Sequence, residues 1–146
     1  PKIIEAGLAQ IPARSRLAKS VREVRRWREQ DLSYDEAVEH IHERWDEKYL
    51  YDWCHTISNA EIVTLGLLWG EKDLGLSICR AVQPCFDTDC NGATVGSIVG
   101  MIVGAKALPG EWITPLKGEL ITGIAGFHRV KIEELARETC DVVRRT

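Results

Sequence analysis

Glycine recurs at every fourth position from Gly92 to Gly104, and this spacing constrains the chain more than any other feature. Residues four apart share one helix face, so Gly92, Gly96, Gly100 and Gly104 form a stripe without side chains. Such a stripe predicts a helix against which another backbone passes closely. Val95, Ile98, Val99, Ile102 and Val103 fill the remaining faces, as expected of a helix in the interior of a domain. The same 3.6-residue period runs through most of the chain. No segment alternates convincingly with period two, so the expected class is all-α.

The stripe opens on Asp87-Thr-Asp-Cys-Asn-Gly-Ala-Thr-Val-Gly96, which puts two carboxylates two residues apart where the helix begins. Within a helix, residues i and i+2 point to nearly opposite sides. Pro84 ends any preceding helix, and residues 85–89 are therefore expected to form a turn in which Asp87 and Asp89 converge. Two readings follow. One carboxylate can cap the helix, which needs only a single Asp. Alternatively both can hold a divalent cation, because two negative charges outweigh the roughly half positive charge of a helix N-terminus. The run also matches the first half of an EF-hand loop, but Ile98 stands at the twelfth position, where a bidentate Glu is required.

Composition narrows the function classes. The 146 residues are 45% hydrophobic and 28% charged, enough for one domain with a substantial core. The net charge of −3 argues against general nucleic-acid binding, and no apolar run reaches membrane-spanning length. Five cysteines, odd in number and without CxxC spacing, point to reduced thiols and a cytoplasmic setting. The basic run from Arg14 to Arg28 is followed by acids from Glu29 to Glu47, and the two predict neighbouring helices with complementary faces.

Helices are expected over Ile4–Ile11, Leu17–Trp27 and, after a Ser33–Glu36 capping box, through Trp45. Residues 46–54 read as an aromatic loop. Thr56 or Ser58 opens a helix ended by Gly70, and Asp73 caps a short one through Val82. The glycine helix extends to about Leu108, a single turn falls within 111–116, residues 117–130 read as a glycine-rich connection, and a last helix covers 132–143. Ile57, Ile62, Leu67 and Leu68 spread over more than one helix face. Two such helices in 146 residues lead to the expectation that the chain is part of a larger domain.

Among the histidines, His40 and His42 lie two apart on a helix and cannot share a metal, and His128 has no evident partner. His55 follows Cys54, but adjacent residues rarely address one reacting atom, so a nucleophile pair is not expected. No Walker loop, GxSxG elbow or dinucleotide fingerprint occurs.

His55-Thr56, the helix from Asn59 to Leu68, the run from Asp87 to Gly96 and Ala107-Leu-Pro-Gly-Glu-Trp112 together resemble the C-terminal part of the ADP-ribosylglycohydrolase family, which includes the dinitrogenase-reductase-activating glycohydrolase. The resemblance implies an orthogonal multi-helix bundle, with residues 1–146 forming a single all-α domain that is the C-terminal fragment of a larger hydrolase domain. It implies two magnesium ions, with manganese as an alternative, and hydrolysis of the glycosidic bond joining ADP-ribose to a protein side chain or small molecule. It assigns Asp87, Asp89 and position 90 as metal ligands and His55 as a substrate contact. Position 90 is Cys where the family has Thr, and a thiol is a poor ligand for magnesium. The family's Gly-Asp-Ala and Thr-Asp-Asp motifs, which supply the other ligands and a catalytic carboxylate, have no counterpart here. Catalytic residues are therefore expected upstream of Pro1, the missing N-terminal half becomes an expected partner, and the chain alone is expected to be inactive. The resemblance extends to lens crystallins that have left catalysis, so a non-catalytic helical protein is the alternative.

Overall fold

The computed structural model describes residues 2–145, and the all-α class holds. Eight α-helices and one two-stranded hairpin occur among the described residues. The chain divides into two compact units, Pro1–Ala105 and Lys106–Thr146.

The first unit carries α1 (Lys2–Leu8), α2 (Arg16–Glu29), α3 (Tyr34–His42), α4 (Thr56–Trp69), α5 (Leu74–Val82) and α6 (Thr88–Val103). Local chemistry sets most of the boundaries. Ser15 accepts a hydrogen bond from the Ala18 amide at the start of α2, and Ser33 and Glu36 form the expected reciprocal capping box on α3. Asp73 accepts from the Leu76 amide at 2.7 Å and starts α5.

Helix α4 is the hub, packing against α2, α3, α5 and α6. Its buried residues include Ile57, Glu61, Ile62, Thr64, Leu65, Gly66 and Trp69, which together go most of the way round the helix. Ile62 and Leu65 are wholly inaccessible, as are Val24, Ile41 and Val95 from the surrounding helices. Burying a side chain of that size contributes about 1.5–3 kcal/mol, so the hub accounts for much of this unit's stability. Two polar contacts fix α3: Tyr34 donates its hydroxyl to the Arg80 carbonyl at 3.0 Å, and Trp69 donates its indole N–H to the Leu32 carbonyl at 3.1 Å. Burial pushes the Tyr34 phenol up to about 12, although the Arg80 guanidinium 3.9 Å from the ring centroid works the other way.

The close backbone approach lies at α4 rather than α6. A Cβ on Gly70 would collide with Ser77 of α5, and one on Gly66 would lie 3.0 Å from the Ser77 carbonyl oxygen. The α6 stripe divides its work. Gly92 and Gly96 face the side chains of Val82 and Ile78, where an added Cβ would meet methyl carbons at 3.2 and 3.3 Å. Gly104 instead ends α6 with φ +82° and has no neighbour within 4 Å of an added Cβ, so the helix stops short of the expected Leu108.

The basic and acidic stretches are neighbours, with the Trp27 ring 5.2 Å from that of His40, but the ion pair that joins them, Arg44 to Glu23 at 2.7 Å, has the reverse of the expected polarity. Of the basic residues on α2, only Arg25 forms ion pairs, with Glu5 and Glu29. The acids of α3 instead serve its own first turn and His40.

The second unit contains α7 (Gly110–Ile113), β1 (Glu119–Ile121), β2 (Arg129–Lys131) and α8 (Ile132–Arg145). The strands pair antiparallel with Leu120 opposite Val130, and Arg129 reaches diagonally to Glu119 at 3.1 Å. A hairpin thus occupies the stretch expected to be unstructured connection, because three-residue strands are too short to display an alternating pattern. The Ile132 amide donates to the Gly118 carbonyl, tying the start of α8 to the base of the hairpin.

Candidate metal centre

Four successive residues build the acidic turn. Pro84 follows α5, and Cys85 takes a left-handed conformation, φ +64°, while its amide bonds back to the Val82 carbonyl. Phe86 is buried, with its ring 5.2 Å from that of His42 on α3. With Phe86 anchored, Asp87 falls at the N-cap position of α6, at φ −75° and ψ 75°.

The helix begins at Thr88, earlier than expected, so Asp89 lies inside its first turn. Convergence survives because Asp87 stands ahead of the helix. One donor atom each from Asp87, Asp89 and Cys90 lies within 4.8 Å of the other two. Among the described residues, no other three His, Cys, Asp or Glu side chains converge in this way. The capping expectation fails for Asp87, whose carboxylate makes no hydrogen bond to the amides of α6.

That carboxylate is held from the side instead. Asn59 on α4 donates its amide N–H to Asp87 Oδ2 at 3.1 Å, and Asn91 donates to Asn59 Oδ1 at 3.3 Å. Asn91 is buried, so the chain of amides reaches from the interior to the metal-ligand candidate. Hydrogen bonding to Asp87, then the Asp87 charge, holds the Cys90 thiol above its ordinary range, and Asp89 and Cys54 push it in the same direction. Among the described residues, no Lys, Arg or His nitrogen lies within 4.0 Å of either Asp87 or Asp89. The helix N-terminus offers roughly half a positive charge against their two negative ones.

His55 is not part of that convergence. It caps α4, its Nδ1 accepting from the Ile57 amide at 3.1 Å, and its ring stacks on Trp45 with centroids 4.9 Å apart. The cap was expected at Thr56 or Ser58, which an imidazole displaces here. His40 pairs with Glu43 and His42 with Glu47, and exposed His128 joins no cluster.

Sequence reasoning missed Asn59, Asn91 and Glu61 as individual residues. For Asn91 the signal was its place two residues beyond Asp89. For Glu61 it was an acid in an apolar helix. Glu61 is wholly buried and accepts from Trp45 Nε1 at 3.0 Å and Arg44 Nη2 at 3.2 Å. Burial raises its carboxyl above the ordinary value, against the lowering effects of Arg44, Ser20 and Trp45.

A concavity of about 530 Å³ in the first unit lies away from this turn. It is an apolar groove of α1, α4 and α6 residues, among them Ile3, Leu67, Ile98 and Ile102, and no carboxylate lines it. Hydrolytic chemistry has nothing to work with there, so the acidic turn remains the candidate.

A family model described as ADP-ribosylglycohydrolase matches residues 1–146, the whole chain. The chain belongs to the ADP-ribosylglycohydrolase family. No curated protein and no solved structure matches it. This family is one of glycohydrolases, and a largely helical chain is consistent with its all-α fold. Among the described residues of this family member, no helix is long and apolar enough to cross a membrane.

Proposed function

We propose that this chain carries part of the divalent-cation centre of an enzyme that hydrolyses the glycosidic bond between ADP-ribose and a protein side chain or small molecule. The observation supporting this reading is the convergence of Asp87, Asp89 and Cys90 within 4.8 Å, in a chain matched throughout by a glycohydrolase family. Two carboxylates without a cationic partner among the described residues suit a hard divalent ion such as magnesium. The Cys90 thiol does not, because magnesium takes oxygen ligands.

The chain's own residues have definite parts in this reading. Asp87 and Asp89 are the cation ligands. Asn59 holds one Asp87 oxygen, and Asn91 fixes the Asn59 amide. His55, at the N-terminus of α4, is the proposed contact to ADP-ribose. The carboxylate that activates water is assigned to the family's acidic motifs outside this sequence, so the chain by itself binds ligand without turnover.

Calorimetric titration of the purified chain with ADP-ribose tests the proposal. Binding is expected only with a divalent cation present, and Asp87→Asn together with Asp89→Asn should abolish it. Equal binding by that double variant would remove both residues from the site. Release of free ADP-ribose from an ADP-ribosylated protein by the chain alone would overturn the assignment of the water-activating group.

The cap-only alternative has less support. Asp87 makes no capping bond and Asp89 lies inside the helix. Neither carboxylate is therefore explained by holding the helix end.

A further inference from the structure

We infer that Cys90 changes the preference of this centre, making it select a thiophilic divalent cation such as zinc or cobalt(II) over magnesium. This inference rests on the proposed cation-binding role of Asp87 and Asp89.

The first argument is the donor set. The convergent atoms are two carboxylate oxygens and one sulfur. Magnesium requires about six oxygens near octahedral positions at roughly 2.0–2.1 Å and gains nothing from a thioether-like or thiolate donor. Zinc accepts both atom types, at about 2.0–2.2 Å for oxygen and about 2.3 Å for sulfur.

The second argument is geometry. Donors sharing a tetrahedral ion at those bond lengths lie roughly 3.3–3.7 Å apart, so a spread of up to 4.8 Å needs a contraction of about 1 Å. Asp89 and Cys90 are both exposed in the first turn of α6, and rotation about their side-chain bonds supplies it. Asp87 is the fixed point, since Asn59 restrains it. The third argument is competition within the turn. The Cys90 sulfur lies within 4.8 Å of an Asp87 carboxylate oxygen, a place that an alcohol would fill equally well. Only the sulfur gives the turn a reason to favour a softer ion.

The test uses the chain with Cys54, Cys79, Cys85 and Cys140 replaced by Ser, under a non-thiol reductant, so that Cys90 is the sole thiol. Titration with cobalt(II) should produce a sulfur-to-cobalt charge-transfer band in the near ultraviolet. The band should vanish in Cys90→Thr. Competition calorimetry should show zinc binding at least tenfold more tightly than magnesium, and Cys90→Thr should reduce that ratio at least tenfold. A band that persists in Cys90→Thr, or an unchanged zinc-to-magnesium ratio, overturns the inference. If Asp87→Asn with Asp89→Asn leaves both cations bound as before, the underlying proposal fails. If that variant loses both cations while Cys90→Thr keeps the ratio, only the selectivity fails.

Discussion

Two groups of carboxylates occupy the first unit, and the chain treats them in opposite ways. Glu61 lies at the centre of α4 with its side chain 1% exposed, meeting a guanidinium and an indole N–H supplied by the same chain. Asp87 and Asp89 lie at the N-terminus of α6 and meet, among the described residues, one side-chain amide, one thiol and no cationic side chain. A carboxylate whose counter-charge is built in serves folding. A carboxylate pair without one is, on the proposal above, open to a cation from outside. Glu61 should thus answer to stability measurements, and the acidic turn to ligand measurements.

The strongest way to break this contrast is at Asp89. Asp89→Asn should weaken binding of a divalent cation at least tenfold in calorimetry, while helical circular dichroism and melting temperature stay within error. A large melting shift with unchanged cation affinity would make Asp89 a structural residue. Next comes Glu61→Ala, which leaves the half-buried Trp45 N–H without its acceptor and empties space in the core. It should cost about 2–3 kcal/mol in denaturant unfolding, less than a fully enclosed ion pair because the Arg44 side chain is 32% exposed. Cation affinity of the folded variant should be unchanged.

Asn59 joins the two regions, because α4 carries both it and Glu61. Asn59→Leu removes the donor to Asp87 and should weaken cation binding by about tenfold, the value of one hydrogen bond to a charged group, with only a small loss of stability. An effect on stability alone would detach Asn59 from the turn.

The smallest effect concerns pH. Burial holds the Glu61 carboxyl above its ordinary 4.5, so the folded chain takes up this proton more readily than the unfolded chain. The stability this group contributes is therefore complete below about pH 4.5 and declines as pH rises through the folded-state value. The stability of the wild type minus that of Glu61→Gln should fall over this window and then level off. A flat difference would show that Glu61 ionises as freely as in the unfolded chain.

What could be read in the sequence was local. The Ser33–Glu36 box, the Asp73 cap, the Pro84 break and the glycine stripe depend on residues a few positions apart, and the structure contains each of them. Contacts across long separations were out of reach. Asn59 and Asp87 are 28 residues apart, and Glu61 meets partners 16 and 17 residues earlier. No periodicity encodes such pairs. The basic and acidic runs do lie beside each other, but composition gave the sign of each surface and not which residues would pair across it. His55 displaced better capping residues because its ring gains a stacked contact with Trp45, a tertiary term invisible to local preference. At the acidic turn the residues were legible, but the way Asp87 is held was not.

The bond from the Ile57 amide to His55 has one more consequence. An Nδ1 that accepts cannot also carry hydrogen, so the neutral ring is the tautomer protonated at Nε2. In that form the far edge of His55 is a donor. Toward a bound molecule it can offer hydrogen to an oxygen such as that of a phosphate or hydroxyl, and it cannot take a proton away without losing its place at the head of α4.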